Sequence, residues 1–286
     1  TLGILIPPSV TMILYGIASE TSIGRLFIAG ILPGLLLVGL FMAWSIFLSW
    51  KRGTRLVDQD RVYSLREKLE LMPRLLPFIL VIIGVVYALY GGIATPSEAA
   101  GVGAMLCLLM VVVIYRMWRP ADLWAILRDG LRESGMLLMI IGTSILFGYM
   151  MSSLQVTQAV AQTIADMQVN RWVVLAAINL LLLVAGCFLP PAAIILMTTP
   201  ILMPVITAAG FDPIWFGVIL TINMELGLIT PPVGLNLFVI NGITPDVSLP
   251  TILRGAFPFM LCMVIAIVIL CVFPEIATWL PAKVMG

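Results

Sequence analysis

Leu226-Gly227-Leu228-Ile229-Thr230-Pro231-Pro232 is an apolar stretch cut by two consecutive prolines, and Leu2-Gly3-Ile4-Leu5-Ile6-Pro7-Pro8 near the start of the chain is a second copy of it. Each copy is followed by a short, mostly apolar run, a polar turn, and a Gly-x-x-Pro (Gly30 to Pro33, Gly255 to Pro258) opening another apolar run. A proline pair interrupts a helix, and hydrocarbon does not tolerate the backbone groups so freed unless they line a site. Two such breaks in corresponding positions of two halves point to the binding site of a secondary transporter.

The composition agrees. Hydrophobic residues make up 62% of the 286 and charged residues 10%, against about 25% charged in a soluble domain. The chain therefore reads as an all-α polytopic membrane protein with discontinuous helices. It contains no histidine, which removes His-based metal sites, Ser-His-Asp catalysis and the usual proton relays. With no paired aspartates in a span either, the chain is read as not an enzyme. Its four cysteines, Cys107, Cys187, Cys262 and Cys271, lie apart in apolar segments and read as small buried hydrophobes. No phosphate loop or nucleotide fingerprint is present, and nothing points to nucleic acid.

Working outward from the breaks gives an order of segments. Residues 1–22 are the end of a first-repeat transport region containing the first break. Residues 23–134 are scaffold spans, kinked at Pro33-Gly34, with a polar connection at 51–74 and an interfacial arm helix at 116–134, where Trp118, Leu123, Trp124 and Leu127 form an apolar stripe. Residues 135–171 are a span and an outer connection. Residues 172–207 form a re-entrant helical hairpin with its tip at Gly186 to Pro191; the competing reading, a single kinked span, is too long for a bilayer core about 30 Å thick. Residues 208–243 are the second broken helix, and 244–286 hold the last span. Glu98, just after Pro96, caps the start of a helix.

Basic residues set the orientation. Lys51, Arg52, Arg55, Arg61, Arg66, Lys68 and Arg74 fall in one connection, and Arg116, Arg119, Arg128 and Arg132 in another. Two crossings separate these connections, so both are cytoplasmic. The connections at 94–97, 152–171 and 207–213, with Arg171 alone between them, are external. Counting crossings then runs the first broken helix outward and the second inward, an inverted repeat. If the halves match, on the order of 150 residues are expected before the first break.

Around the second break, freed carbonyls at Gly227, Ile229 and Thr230, with the Thr230 hydroxyl, are hard oxygen ligands suited to Na⁺. The half-helix beginning near Val233 turns its amides toward the same place, which suits a carboxylate. Gly3, Ile6, Ser9 and Thr11 offer equivalent groups at the first break, and Gly186 is placed to approach the second. Glu225, within a span, is a candidate for a direct role, or else pairs with an arginine or sits near an interface. Asn223, Asn236 and Asn241 either face the site or hydrogen-bond neighbouring helices. The candidate substrate contacts are Ser9, Thr11, Asn236 and Glu225.

The run Gly227-Leu228-Ile229-Thr230-Pro231-Pro232-Val233-Gly234-Leu235-Asn236-Leu237-Phe238, with Gly3 to Ser9 and Pro200-Ile201-Leu202-Met203-Pro204, resembles the large membrane subunit of tripartite ATP-independent periplasmic (TRAP) transporters across essentially the whole chain. The sequence departs from that pattern at Leu189-Pro190, where many relatives carry Met-Asp, so the hairpin tip lacks their acidic side chain. The resemblance implies an ion-transporter-superfamily fold with a scaffold and an elevator-like transport domain in the bacterial inner membrane. It implies Na⁺-driven import of a small organic acid, such as a C4-dicarboxylate or sialic acid. Its partners would be a small membrane subunit, a periplasmic binding protein that delivers the carboxylate, and membrane lipid. One Na⁺ site would take backbone groups at Gly186, Gly227 and Thr230, and the other Gly3, Ile6 and Ser9. The alternative is a stand-alone symporter of the same superfamily that needs no binding protein.

Overall fold

The computed structural model describes residues 2–52, 65–91, 93–166, 169–244 and 246–285. Every regular element among them is helical. Five of these helices are long and apolar enough to cross a membrane: Ile23–Lys51, Pro96–Val113, Pro120–Ser153, Pro191–Ala208 and Leu249–Val272. The chain divides into two units, one of residues 1–44 and 137–286 and the other of residues 45–136.

The larger unit is built around one helix. We number the helices α1 (Val10–Ser19), α2 (Ile23–Arg52), α3 (Leu65–Tyr90), α4 (Pro96–Val113), α5 (Pro120–Ser153), α6 (Val156–Asp166), α7 (Arg171–Gly186), α8 (Pro191–Ala208), α9 (Pro213–Ile229), α10 (Leu235–Ile243), α11 (Leu249–Val272) and α12 (Glu275–Met285). Helix α9 starts where Asp212 caps it, accepting from the Trp215 amide at 2.9 Å, with Pro213 preset for the first turn. It ends at Thr230 because Pro231 and Pro232 have no N–H to donate and Pro231 pushes its predecessor out of the helical region; Thr230 has ψ 133°. Between these signals almost every side chain is buried, from Trp215 to Leu226 without exception. A helix apolar all round belongs in a core, and α1, α7, α8, α10, α11 and α12 all pack on α9.

Two pairings position the site. Helices α7 and α9 run parallel: Trp172 meets Phe211, which stacks on Trp215, at their starts; Asn179 bonds Asn223 midway; Gly186 touches Gly227 at their ends. Helix α8 follows α7 after a break at Cys187–Pro190 and packs against it, so residues 171–208 form a helical hairpin. Helix α1 packs along α8 and α9. Its Tyr15 hydroxyl donates to the Pro213 carbonyl at 2.6 Å, and its ring fills the space a side chain at residue 217 would need.

In the smaller unit, α3 and α4 pack antiparallel, with Gly84 beside Leu106 and Gly103 beside Val85. Thr95 and Glu98 form a reciprocal cap at the start of α4, as the sequence leads one to expect.

Several boundaries differ from the reading. The expected break between an arm helix at 116–134 and a span from 135 does not occur: α5 is continuous through Gly130 and Gly135, since isolated glycines lower helix propensity by only about 1 kcal/mol each and no proline intervenes. Helix α2 runs on through Pro33 to Arg52 and α3 begins at Leu65, so both intrude on the expected connection at 51–74; residues 53–64 lie outside the described residues. After the last span, Pro274 starts a separate helix α12 that was not expected.

Candidate functional site

Gly186 and Gly227 are in backbone-to-backbone contact. A Cβ placed on Gly227 would fall 2.7 Å from the Gly186 Cα and 2.8 Å from its carbonyl carbon. The tip of the hairpin therefore meets the end of α9 main chain to main chain, with both glycines buried and no side chain between them. This contact joins two of the residues expected to bind an ion.

The third, Thr230, sits one turn beyond. Its amide donates to the Gly227 carbonyl at 3.1 Å, closing the last turn, and its hydroxyl donates to the Leu226 carbonyl at 2.5 Å. That donation spends the hydroxyl hydrogen and leaves the oxygen's lone pairs available as ligands. The helical donors for the carbonyls of Gly227 and Leu228 would be residues 231 and 232, both prolines. Gly227 is satisfied instead by Thr230, and a carbonyl has a second lone pair to offer. Beyond the prolines, Gly234 adopts φ 58° and starts α10 without a side-chain cap. The Pro231-Pro232 peptide bond is cis, as is Pro7-Pro8.

Glu225 and Asn236 are brought together across the break. Glu225 is 4% exposed, and the Asn236 Nδ2 donates to its Oε1 at 3.1 Å. Two of the four expected substrate contacts therefore hold each other, tying α10 to α9. Asn223 bonds Asn179 rather than the break, and Asn241 lies further along α10. Asn179 itself was not singled out from the sequence; a lone amide inside the apolar run Val173–Leu183 was the available signal.

The first break is built differently. A Cβ at Gly3 would meet nothing within 4 Å. Ser9, 1% exposed, caps α1: it accepts from the Met12 amide at 3.3 Å and donates to the Ile4 carbonyl. Thr11 is buried on α1, and Ile6 is 47% exposed. The turn Leu2–Ile4 packs against α9, so both breaks belong to one unit.

At the opposite ends of α7 and α9 lies a cavity of about 540 Å³ lined by Arg171, Trp172, Phe211, Asp212, Trp215 and Glu275, among others. The Arg171 guanidinium stacks over the rings of Trp172 and Phe211, 5.2 and 5.6 Å from their centroids.

Residues 1–276 match the family model described as "Tripartite ATP-independent periplasmic transporter, DctM component". Among curated proteins, the chain is 39% identical over 281 residues to the C4-dicarboxylate TRAP transporter large permease protein DctM of Pseudomonas aeruginosa, covering 98% of this chain and 65% of the relative. It is 33% identical over 286 residues to the sialic acid TRAP transporter large permease protein SiaM of Vibrio cholerae (100% and 66%). It is 34% identical over 283 residues to the ectoine TRAP transporter large permease protein TeaC of Halomonas elongata (98% and 64%). The chain thus spans just under two thirds of the length of each of these relatives.

Proposed function

The chain belongs to the DctM-component family of tripartite ATP-independent periplasmic transporters, and from that premise we propose that it is the translocating part of a Na⁺-coupled importer of a small organic acid. It is a multi-pass protein of the bacterial inner membrane and not an enzyme. One observation carries the ion coupling: the bare Gly186–Gly227 contact beside the Thr230 hydroxyl, where α9 stops and α10 begins. A side chain at either glycine would run into the facing main chain, and main-chain and hydroxyl oxygens are the hard ligands a Na⁺ ion takes.

In this mechanism Na⁺ binds among the Gly186, Gly227 and Thr230 oxygens and draws the hairpin tip against the broken helix. The uncapped start of α10 then offers amides to the carboxylate of the substrate. The Glu225–Asn236 bond holds α10 in line while this happens. The first break, through Gly3, Ile6 and Ser9, contributes to a second ion site in the whole protein, with Ser9 and Thr11 toward the substrate. The course of α1 beside α9 supports an inverted relation between the repeats: Tyr15, in the second half of α1, lies at the start of α9, and the turn preceding α1 also packs on α9. The hairpin and broken helices move together as an elevator against the spans of the scaffold.

A small membrane subunit and a periplasmic binding protein complete the machine, the latter delivering the acid. The names of the relatives, covering C4-dicarboxylate, sialic acid and ectoine, support an organic acid or related small solute. The test is uptake into vesicles by the reconstituted full complex, with an imposed Na⁺ gradient and candidate acids supplied on the cognate binding protein. Uptake should need both the gradient and the binding protein. Full-rate uptake without the binding protein would overturn this reading in favour of a stand-alone symporter.

A further inference from the structure

We infer that Asn179 and Asn223 are a positioning pair that sets the axial register of α7 against α9, and through it the Gly186–Gly227 contact. This inference rests on the ion reading of that contact. The Asn223 Nδ2 donates both to the Asn179 Oδ1 at 2.8 Å and to the Asn179 main-chain carbonyl at 2.9 Å. The Asn179 Nδ2 donates in turn to the Leu175 carbonyl at 2.9 Å, which fixes the amide so that its oxygen faces α9. Elsewhere on these two helices the buried side chains are mostly apolar, among them Leu175, Ile178 and Leu182 on α7 and Ile219, Ile222 and Leu226 on α9.

Apolar packing tolerates an axial slip that a directional hydrogen bond does not. The glycines cannot set the register themselves, because they have no side chains to interlock. Gly227 lies one helical turn from Asn223, and Gly186 two turns from Asn179, so a slip of one residue, about 1.5 Å, would carry Gly186 off Gly227. The two main chains that are to share an ion would then part.

A second observation separates positioning from plain stabilisation. Asn223 is 2% exposed, and its Oδ1 has no hydrogen-bond partner. An orphaned buried acceptor is costly, while replacing both partners of a buried pair with apolar groups of similar shape is close to neutral or stabilising. Leucine at both positions would therefore serve a merely structural role as well or better. What leucine cannot do is hold the register.

The test uses the complete transporter complex with the double substitution Asn179→Leu and Asn223→Leu, beside Thr230→Ala. Melting temperature is read in detergent with and without Na⁺, and the Na⁺ half-saturation of uptake in vesicles. The double variant should keep its Na⁺-free melting temperature, raise the Na⁺ half-saturation roughly tenfold, and keep the rate at saturating Na⁺ within about threefold. Unchanged Na⁺ half-saturation, or a lowered Na⁺-free melting temperature as the only effect, would overturn the inference. If Thr230→Ala moves the Na⁺ dependence and the double variant does not, the pairing idea falls alone; if neither moves it, the ion reading falls too. Should the double variant not assemble, Asn179→Leu decides. It leaves Asn223 its main-chain acceptor, so a rise of about twofold to threefold is expected, and no rise would overturn the inference.

Discussion

Replacing Gly227 with alanine tests the junction most directly. The new methyl would sit 2.7 Å from the Gly186 Cα, 2.8 Å from its carbonyl carbon and 3.1 Å from its oxygen. Carbon atoms at rest stand about 3.5–4.0 Å apart, so α7 must retreat from α9 by close to an ångström. All the obstructing atoms are main chain, so no rotamer change relieves the clash. Overpacking of this kind costs about 1–3 kcal/mol, and the helix propensity regained on losing a glycine returns about 0.5–1 kcal/mol. The net penalty, about 0–2.5 kcal/mol with a midpoint of about 1.3 kcal/mol, falls on the state in which the tip is docked. At about 1.4 kcal/mol per tenfold, the midpoint raises Na⁺ half-saturation roughly tenfold. The mirror substitution is milder, because a methyl on Gly186 would lie 3.1 Å from the Gly227 Cα and its next neighbours are 3.9 Å away. Gly186→Ala should therefore shift the Na⁺ dependence in the same direction by a smaller factor. The assay is Na⁺-driven uptake by the complete complex in vesicles, with Na⁺-induced thermal stabilisation as a readout independent of transport. A wild-type Na⁺ dependence in Gly227→Ala, or a larger effect from Gly186→Ala, would refute the reasoning.

Thr230→Ala deletes one candidate oxygen and one bond to a helix-end carbonyl; Na⁺ half-saturation should rise by about threefold to tenfold, while Thr230→Ser, which keeps the hydroxyl, should stay close to the parent. Gly217→Ala pushes a methyl to 2.5 Å from Tyr15 Cε1 and 2.9 Å from a Leu26 methyl, so the complex should lose about 1–3 kcal/mol of stability, visible as a lower melting temperature with an unaltered Na⁺ half-saturation. Trp215→Phe removes the indole donor that reaches the Leu270 carbonyl at 2.8 Å; a stability loss of about 1–3 kcal/mol is expected, and an unchanged melting temperature would show that α9 and α11 do not depend on that bond.

The breaks were legible because proline chemistry is local. Pro231-Pro232 ends a helix wherever it stands, so the limits of α9 and α10 and the hairpin tip at Gly186 could be placed from sequence. The approach of Gly186 to Gly227 was legible for a related reason: two glycines flanking broken helices leave room that only main chain can fill. Pairing between distant helices was not. Nothing local marks Asn179 as the partner of Asn223, or Tyr15 as the side chain filling the space over Gly217, because these contacts exist only once α7, α1 and α9 are assembled. Glu225 and Asn236 were visible as polar residues in apolar surroundings, yet their attachment to each other depends on how sharply the chain turns between them. The continuity of α5 is not legible in the same way: its composition changes from amphipathic to apolar near Gly135, while the helix carries on through both parts with no proline after Pro120.

The pairing of α1 with α8 and α9 also sets an order of events at the ribosome. Helix α1 is made early in this chain, but the Pro213 carbonyl that its Tyr15 hydroxyl reaches and the α8 face it lies on come about 170–200 residues later, roughly 10–40 s at ordinary rates of synthesis. Over that interval α1 is a short helix in lipid with a phenol and two hydroxyls, those of Thr11 and Ser19, and with α2 beside it but not yet α8 or α9. The half-helices that make such a junction therefore pass through the insertion machinery as dependants, and their retention in the bilayer until α8 and α9 arrive is a step at which the assembly of this protein is exposed to failure.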